Sequence, residues 1–300
     1  MDNYVVAMLT FAGLYALLAL GLNVIWGMAG LINLGLVGFF AFGAYVSALL
    51  SKKAGWPMLA DLIAAALLTA GAGAVLAVVT ARLRGDYLAI VTLGFSEVVR
   101  ITASNEIWLT NGTDGISGIP GPWRGQVSPA AFNQIYLILV VAAVATALIM
   151  LERVRHSPYG RVLRAIRDDD QVAAVAGKPV RAFKVHAFAL SAAILGVAGG
   201  LYAHYTSYIA PEAFVPLISV YIVLALTAGG TGNNWGAVLG ALLVIFFMES
   251  TRFVTAALPG ISAAQAAALR EFLIGASLIV VLRARPAGLV PERIRRVPVG

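Results

Sequence analysis

Long apolar runs constrain this chain more than any other feature. They cover 4–24, 31–50, 57–81, 86–103, 131–151, 187–209, 216–230, 236–256 and 268–283. About 20 mostly apolar residues cross roughly 30 Å of hydrocarbon as a helix. In lipid every backbone N–H and C=O must be bonded internally, so only helices and closed barrels span it. The runs are continuous and lack a barrel's short alternating segments. The expected fold is therefore all-α, a polytopic transmembrane helical bundle of about 8–10 spans forming a single domain over 1–300.

Composition agrees, because 60% of residues are hydrophobic and 12% charged, against about a quarter charged in soluble domains. The opening MDNYVVAMLTFAGLYALLALGLNVIWG has no basic residue before its apolar run, and reads as a retained first helix rather than a leader. The absence of cysteine removes disulfides and thiol chemistry. A net charge of +7 would suggest nucleic acid for a soluble protein, but here the basic residues sit in loops beside spans. That pattern marks the cytoplasmic side of a bilayer, so the expected partners include lipid and no nucleic acid.

One internal segment departs from the rest. Residues 152–186, ERVRHSPYGRVLRAIRDDDQVAAVAGKPVRAFKVH, hold eight of the chain's 21 Lys and Arg. The tail from 284 to 300 and RLRGD at 82–86 are the other basic connectors, and all three are expected in the cytoplasm. SKKAGW at 51–56 and the Gly- and Pro-rich loop 104–130 are expected outside, the latter as a structured cap. Five segments before the island place the N-terminus outside. A cytoplasmic N-terminus requires an extra or broken crossing within 21–43, so both arrangements stay open.

That run, GLNVIWGMAGLINLGLVGFFAFG, carries six glycines with Asn23 and Asn33. Small residues let helices approach closely, whereas an interrupted helix exposes carbonyls only where protein or a wet cavity receives them. Asn23, Gly27, Gly30, Asn33 and Gly35 are thus candidates for lining a translocation path, with close packing as the equal alternative. Glu97 and Arg100 lie three apart, as do Glu249 and Arg252, so each pair can meet on one helix face. Glu97 joins the path candidates because an intramembrane charge marks function by default. Both pairs are expected near span ends, where self-neutralised pairing is the simpler role.

Catalytic chemistry is not legible. His156, His186 and His204 lack HxxxH or HExxH spacing, which leaves a metal site unsupported. AVAGKPV has Pro179 where a Walker A motif needs Ser or Thr, GGTGNNWG lacks its lysine, and no GxSxG elbow occurs. The chain is expected to bind no cofactor and to hydrolyse no ATP itself.

Inside the island, Ser157 can cap a helix with Pro158 at its first position. Val162, Ile166 and Leu163 then recur at helical spacing among arginines. After Asp168, Asp169 and Asp170, QVAAVAG can form a second short helix ended by Gly177. Two capped amphipathic helices beside a membrane are more than topology requires.

The island and its following span, with RLRGDYLAIVTLGFSEVVR, TNGTDGISGIP, GLNVIWGMAGLINLGLVGFFAFGAY, GGTGNNWGAVLGA and RPAGL, resemble the branched-chain amino acid ABC transporter permease family, specifically its LivM-type subunit. Ser96, Lys178 and the TGNN after Gly230 depart from the usual family residues. The resemblance implies an importer subunit in a bacterial inner membrane, paired with a homologous LivH-type permease. It implies two cytoplasmic ATPase subunits, which hold ATP and Mg, and a periplasmic substrate-binding protein. Gly160, Arg161, Arg164, Ala165, Ala173 and Gly177 match positions of its ATPase-coupling segment. Importers of urea, short amides and aromatic acids share this scaffold, and an ion-coupled secondary transporter is the rival from another class.

Overall fold

The structure is a computed structural model that describes residues 2–81, 83, 85–256, 262–285 and 287–292. Helix α1 (Asp2–Leu22) continues into a π-helical turn (Asn23–Met28), and residues 29–35 are irregular before α2 (Leu36–Ala54). There follow α3 (Met58–Val79), α4 (Asp86–Asn105), the short α5 (Ile107–Thr110), α6 (Pro129–His156), α7 (Pro158–Asp168) and α8 (Asp170–Val175). The chain then forms α9 (Val180–Thr206), α10 (Leu217–Gly229), α11 (Asn234–Ala256) and α12 (Ala263–Ala284). Two-residue strands β1 (Ile116–Ser117) and β2 (Tyr208–Ile209) pair antiparallel. Eight helices among the described residues are long and apolar enough to cross a membrane, and α12 carries the ninth apolar segment.

The choice left open at 21–43 is resolved by contacts at the two ends of α1. Tyr4 donates to Glu249 near the end of α11, and Phe11 meets the edge of Tyr205 in the last turn of α9. At the other end, the Gly27 carbonyl accepts from Arg167 of α7. The first helix therefore runs from the end opposite the island to the island end. The break at 29–35 adds no crossing.

Helices α1, α2 and α9 form the centre of the bundle, and α3, α4 and α6 flank it with a smaller share of their residues buried. Small residues set how closely the centre closes. A Cβ built on Gly43 of α2 would lie 2.4 Å from the Gly196 Cα of α9, and one on Gly199 would lie 2.0 Å from the Phe40 carbonyl oxygen. Backbone-to-backbone contact of this kind replaces the hydrophobic drive that lipid does not supply. Gly199→Val is expected to destabilise the bundle by about 1–3 kcal/mol, the usual range for overpacking. Loss of the monodisperse peak on heating in detergent checks this.

The charged island is shorter as a loop than its composition suggests. Residues 152–156 are the last turn of α6 and 180–186 the start of α9. At 28 and 27 residues these helices reach roughly 40 Å at 1.5 Å per residue, about 10 Å beyond the hydrocarbon, so their ends emerge with their charges. By contrast α10 has 13 residues, roughly 20 Å, and stops short. Its terminal carbonyls at Ala228 and Gly229 accept from the backbone N–H groups of Leu289 and Val290, both at 2.9 Å. An irregular stretch of the tail thus supplies donors for carbonyls at the helix end.

Candidate functional site

Two short helices project from the island end. Ser157 Oγ accepts from Gly160 N at 3.2 Å and caps α7. Asp169 Oδ1 accepts from Gln171 N at 2.8 Å and Val172 N at 3.1 Å and caps α8. The acidic run between them is therefore a helix start as well as a break in the basic face. Gly177, at φ 76°, turns the chain toward α9. Leu163 and Ile166 are buried, while Val162 is only partly covered. This corrects the sequence expectation, because Leu163 and Ile166 take the inner face and Val162 turns to the groove between α7 and α8. Tyr159 stacks on Phe183 with ring centroids 5.1 Å apart, and burial pushes its phenol up to about 12, which keeps it neutral.

A concavity of about 530 Å³ lies between α7 and α8, lined among others by Arg161, Val162, Ala165, Ala173 and Lys178. Beside it Val172 and Val175 are 65% and 91% exposed. These aliphatic side chains form a small apolar patch open to solvent on an otherwise charged hairpin.

The C-terminal end of α7 reaches into the bundle. Arg167 donates to the Gly27 carbonyl in the π turn and pairs with Glu292 of the tail at 2.8 Å. At the start of the same π turn, Asn23 is fully buried. Its Oδ1 accepts from Gly232 N and its Nδ2 donates to Asn234 Oδ1, both at 2.9 Å, and Asn234 in turn donates to Glu152 Oε2 at 2.7 Å. The π turn, the α10–α11 turn, the end of α6 and α7 are joined by one polar network.

A second buried cluster sits at the opposite end, and the sequence does not announce it. Ser47, Asp61 and His204 are each fully buried. Ser47 Oγ donates to Asp61 Oδ1 at 2.6 Å, and His204 Nε2 lies 3.1 Å from both carboxylate oxygens. His204 Nδ1 meets the Pro120 carbonyl at 2.6 Å. Arg124 bonds the His204 and Tyr205 carbonyls while its guanidinium lies 4.3 Å over Phe132. Lys52 and Lys53 donate to carbonyls of Ser117, Trp108 and Leu109. Loop 104–130 is thereby tied to the ends of α2, α3 and α9.

Glu97 stands 11 residues after the start of α4 and 8 before its end, near mid-helix, because α4 continues to Asn105. The expectation of a span-end position is corrected accordingly. Arg100 Nε lies 3.1 and 3.0 Å from the two Glu97 oxygens, and the two side chains are 37% and 30% exposed for Glu97 and Arg100. Arg252, the expected partner of Glu249, has a side chain outside the described residues.

A family model for the "Branched-chain amino acid transport system / permease component" matches residues 4–282. The chain belongs to this permease family. Among its relatives, the Escherichia coli K12 high-affinity branched-chain amino acid transport system permease protein LivM is 34% identical over 94% of this chain and 69% of that protein. A probable LivM of Methanocaldococcus jannaschii is 27% identical over 95% of this chain and 92% of its own. The E. coli K12 LivH protein is 24% identical over 78% and 80%. No solved structure matches.

This member of the branched-chain permease family is a multi-pass transport subunit whose expected coupling residues occupy different environments. Arg161, Ala165 and Ala173 line the α7–α8 concavity. Gly160 is pressed on α6, where a Cβ would lie 2.3 Å from the Val154 carbonyl oxygen. Arg164 turns back to donate to the Arg155 carbonyl at 2.9 Å, and Gly177 supplies the turn after α8. The path candidates contact different parts of the fold. Asn23 and Gly27 face the α10–α11 turn, Gly30 at φ 70° bends against Arg167, and Gly35 lies on Thr92 of α4. Asn33 is buried, with Oδ1 accepting from Gly35 N and Nδ2 without a partner. Among the described residues, no three His, Cys, Asp or Glu side chains gather as a metal site would require.

Sequence reasoning passed over Ser47, Asp61, Arg167 and Asn234. The partners of Asp61 and Arg167 stand 143 and 125 residues away, so no spacing rule reaches them. The available clue was an Asp within an apolar segment.

Proposed function

We propose that this permease is one half of the membrane path of an ATP-driven importer for branched-chain amino acids in a bacterial inner membrane. It pairs with a homologous LivH-type permease. Two cytoplasmic ATPase subunits supply ATP and Mg, and a periplasmic binding protein delivers substrate. The α7–α8 hairpin within 152–186 and the tail from 284 face the cytoplasm, and 104–130 faces outward. The observation that carries this reading is the hairpin's concavity beside exposed Val172 and Val175, with Arg161 at its rim, on helices that stand about 10 Å proud of the hydrocarbon. The names of the relatives support the substrate class. Urea, short amides and aromatic acids are the alternatives, and ligand binding to the cognate binding protein separates them.

Arg161→Glu combined with Val175→Asp is expected to prevent copurification of the ATPase subunits while the permease inserts normally. Unchanged copurification would sink the coupling role. Arg164 is the wrong residue to alter, because its bond to the Arg155 carbonyl confounds the result.

Mid-helix Glu97 is the feature on which ion-coupled transport would rest. Pairing with Arg100 favours a structural role on the flank of α4, facing the second permease or a wet path rather than lipid. Glu97→Gln is expected to leave at least half of uptake in reconstituted complexes. Abolished uptake in a stably inserted Glu97→Gln, together with wild-type uptake that an ion gradient drives and vanadate does not inhibit, would favour the secondary transporter.

A further inference from the structure

We infer that Arg167 is the positioning residue through which the α7–α8 hairpin moves the membrane helices, a deepening that rests on the importer reading above. The hairpin meets the bundle at three places, one of them the Asp170–Lys184 ion pair at 2.9 Å between α8 and α9. The hairpin's N-terminal part rests on α6 and α9 through Gly160, Tyr159 and Phe183. The C-terminal end of α7 reaches the π turn after α1 through the Arg167 side chain, bonded to the Gly27 carbonyl and to Glu292.

Three features make this contact a link. The Gly27 carbonyl lies in a π turn at the C-terminal end of α1, where carbonyls lack intrahelical donors and a cation is favoured. A π turn followed by seven irregular residues, 29–35, is a place where a helix bends with little loss of packing. The surroundings leave no slack: a Cβ on Gly30 would lie 2.8 Å from Arg167 Cγ, and one on Gly232 would lie 2.6 Å from Glu292 Oε2 and 3.1 Å from Arg167 Nη1. Displacement of α7 is passed on rather than absorbed.

From this joint the network divides. Through Asn23 the π turn holds Gly232 and Asn234. Through Glu292 the arginine holds the tail, whose backbone is bonded to Ala228 and Gly229. Both branches converge on the α10–α11 turn, so one side chain of the hairpin bears on α1, α10 and α11 together. Lysine keeps the charge but lacks the fork that reaches a carbonyl and a carboxylate at once.

The test uses the complete transporter in proteoliposomes with its binding protein and ATP. In Arg167→Gln, the ATPase subunits are expected to copurify and hydrolysis to continue. Substrate taken up per ATP should fall about tenfold, at an unchanged half-saturating concentration of loaded binding protein. Arg167→Lys and Glu292→Gln should fall between that variant and the wild type. Arg167→Glu with Glu292→Arg should recover part of the loss of Arg167→Glu alone. Uptake per ATP unchanged in Arg167→Gln overturns the inference, as does a parallel loss of hydrolysis and uptake, which a merely structural residue would produce. If Arg167→Gln fails to assemble, Glu292→Gln decides by the same ratio, and an unchanged value overturns it. Failure of the importer reading shows separately, as wild-type uptake that consumes no ATP, and removes this inference with it.

Discussion

Asp61→Ala is expected to destabilise the protein by about 3–5 kcal/mol, the cost of removing one partner from a buried ion-paired group. The carboxylate accepts from Ser47 and faces His204 Nε2, and all three side chains are fully buried. Its removal leaves the buried Ser47 hydroxyl and the His204 ring nitrogen, 3.1 Å apart, with each other in place of a carboxylate that bonded both. Because His204 Nδ1 also meets Pro120, the damage should spread to loop 104–130, loosening its hold on α9. The check is unfolding of the detergent-solubilised protein by titrated denaturing surfactant, followed by intrinsic fluorescence. Hydrogen exchange in 115–127 should rise in parallel. Asp61→Asn, which keeps an acceptor, should lose clearly less. Equal midpoints for Asp61→Ala and the wild type would show that the cluster is not a clamp.

Asn23→Leu is expected to cost about 2–6 kcal/mol, from one buried N–H and one buried amide left unpaired at about 1–3 kcal/mol each. Leucine is close to asparagine in size, so the loss reports hydrogen bonding more than a cavity. The orphaned groups are Gly232 N and Asn234 Oδ1, both in the turn that joins α10 to α11. Release of that turn should also lower uptake, because the π turn then no longer holds α10 and α11. The same unfolding assay and uptake by the reconstituted complex check the two effects. Asn23→Asp, which keeps the acceptor for Gly232 N, should retain more of both.

Much of the architecture was legible because lipid imposes it. Apolar length locates the spans, charge locates the emergent loops, and capping chemistry at Ser157 and the asparagine-free Gly177 turn locates α7 and α8. Helix ends were less legible: α6 and α9 run past their apolar segments because a helix leaving the bilayer needs no apolar residues. Glu97 was misplaced for the same reason, since polar Ser104 and Asn105, beyond the apolar run that ends at 103, hide the end of α4.

The candidate site was legible only in part. Residues of the hairpin that carry local order, Arg161, Ala165 and Ala173, appeared in the sequence and share one surface. The residues that connect the hairpin to the bundle did not. Arg167 looked like one more basic residue on a solvated face, and Glu292 like part of a charged tail, until the fold put them 2.8 Å apart.

What the sequence alone determined is therefore the class: a helical membrane protein with an emergent charged hairpin, resembling a known permease family. Those properties are set by one-dimensional quantities, namely apolar length, charge placement and capping residues within a few positions of each other. Tertiary structure alone decided that the Gly-rich run breaks without adding a crossing, that Asp61 and His204 form a buried clamp, and that Arg167 joins hairpin, π turn and tail. Each depends on polar groups distant in the chain meeting where the bilayer forbids them to stay unpaired, and a folded bundle is needed to choose those partners.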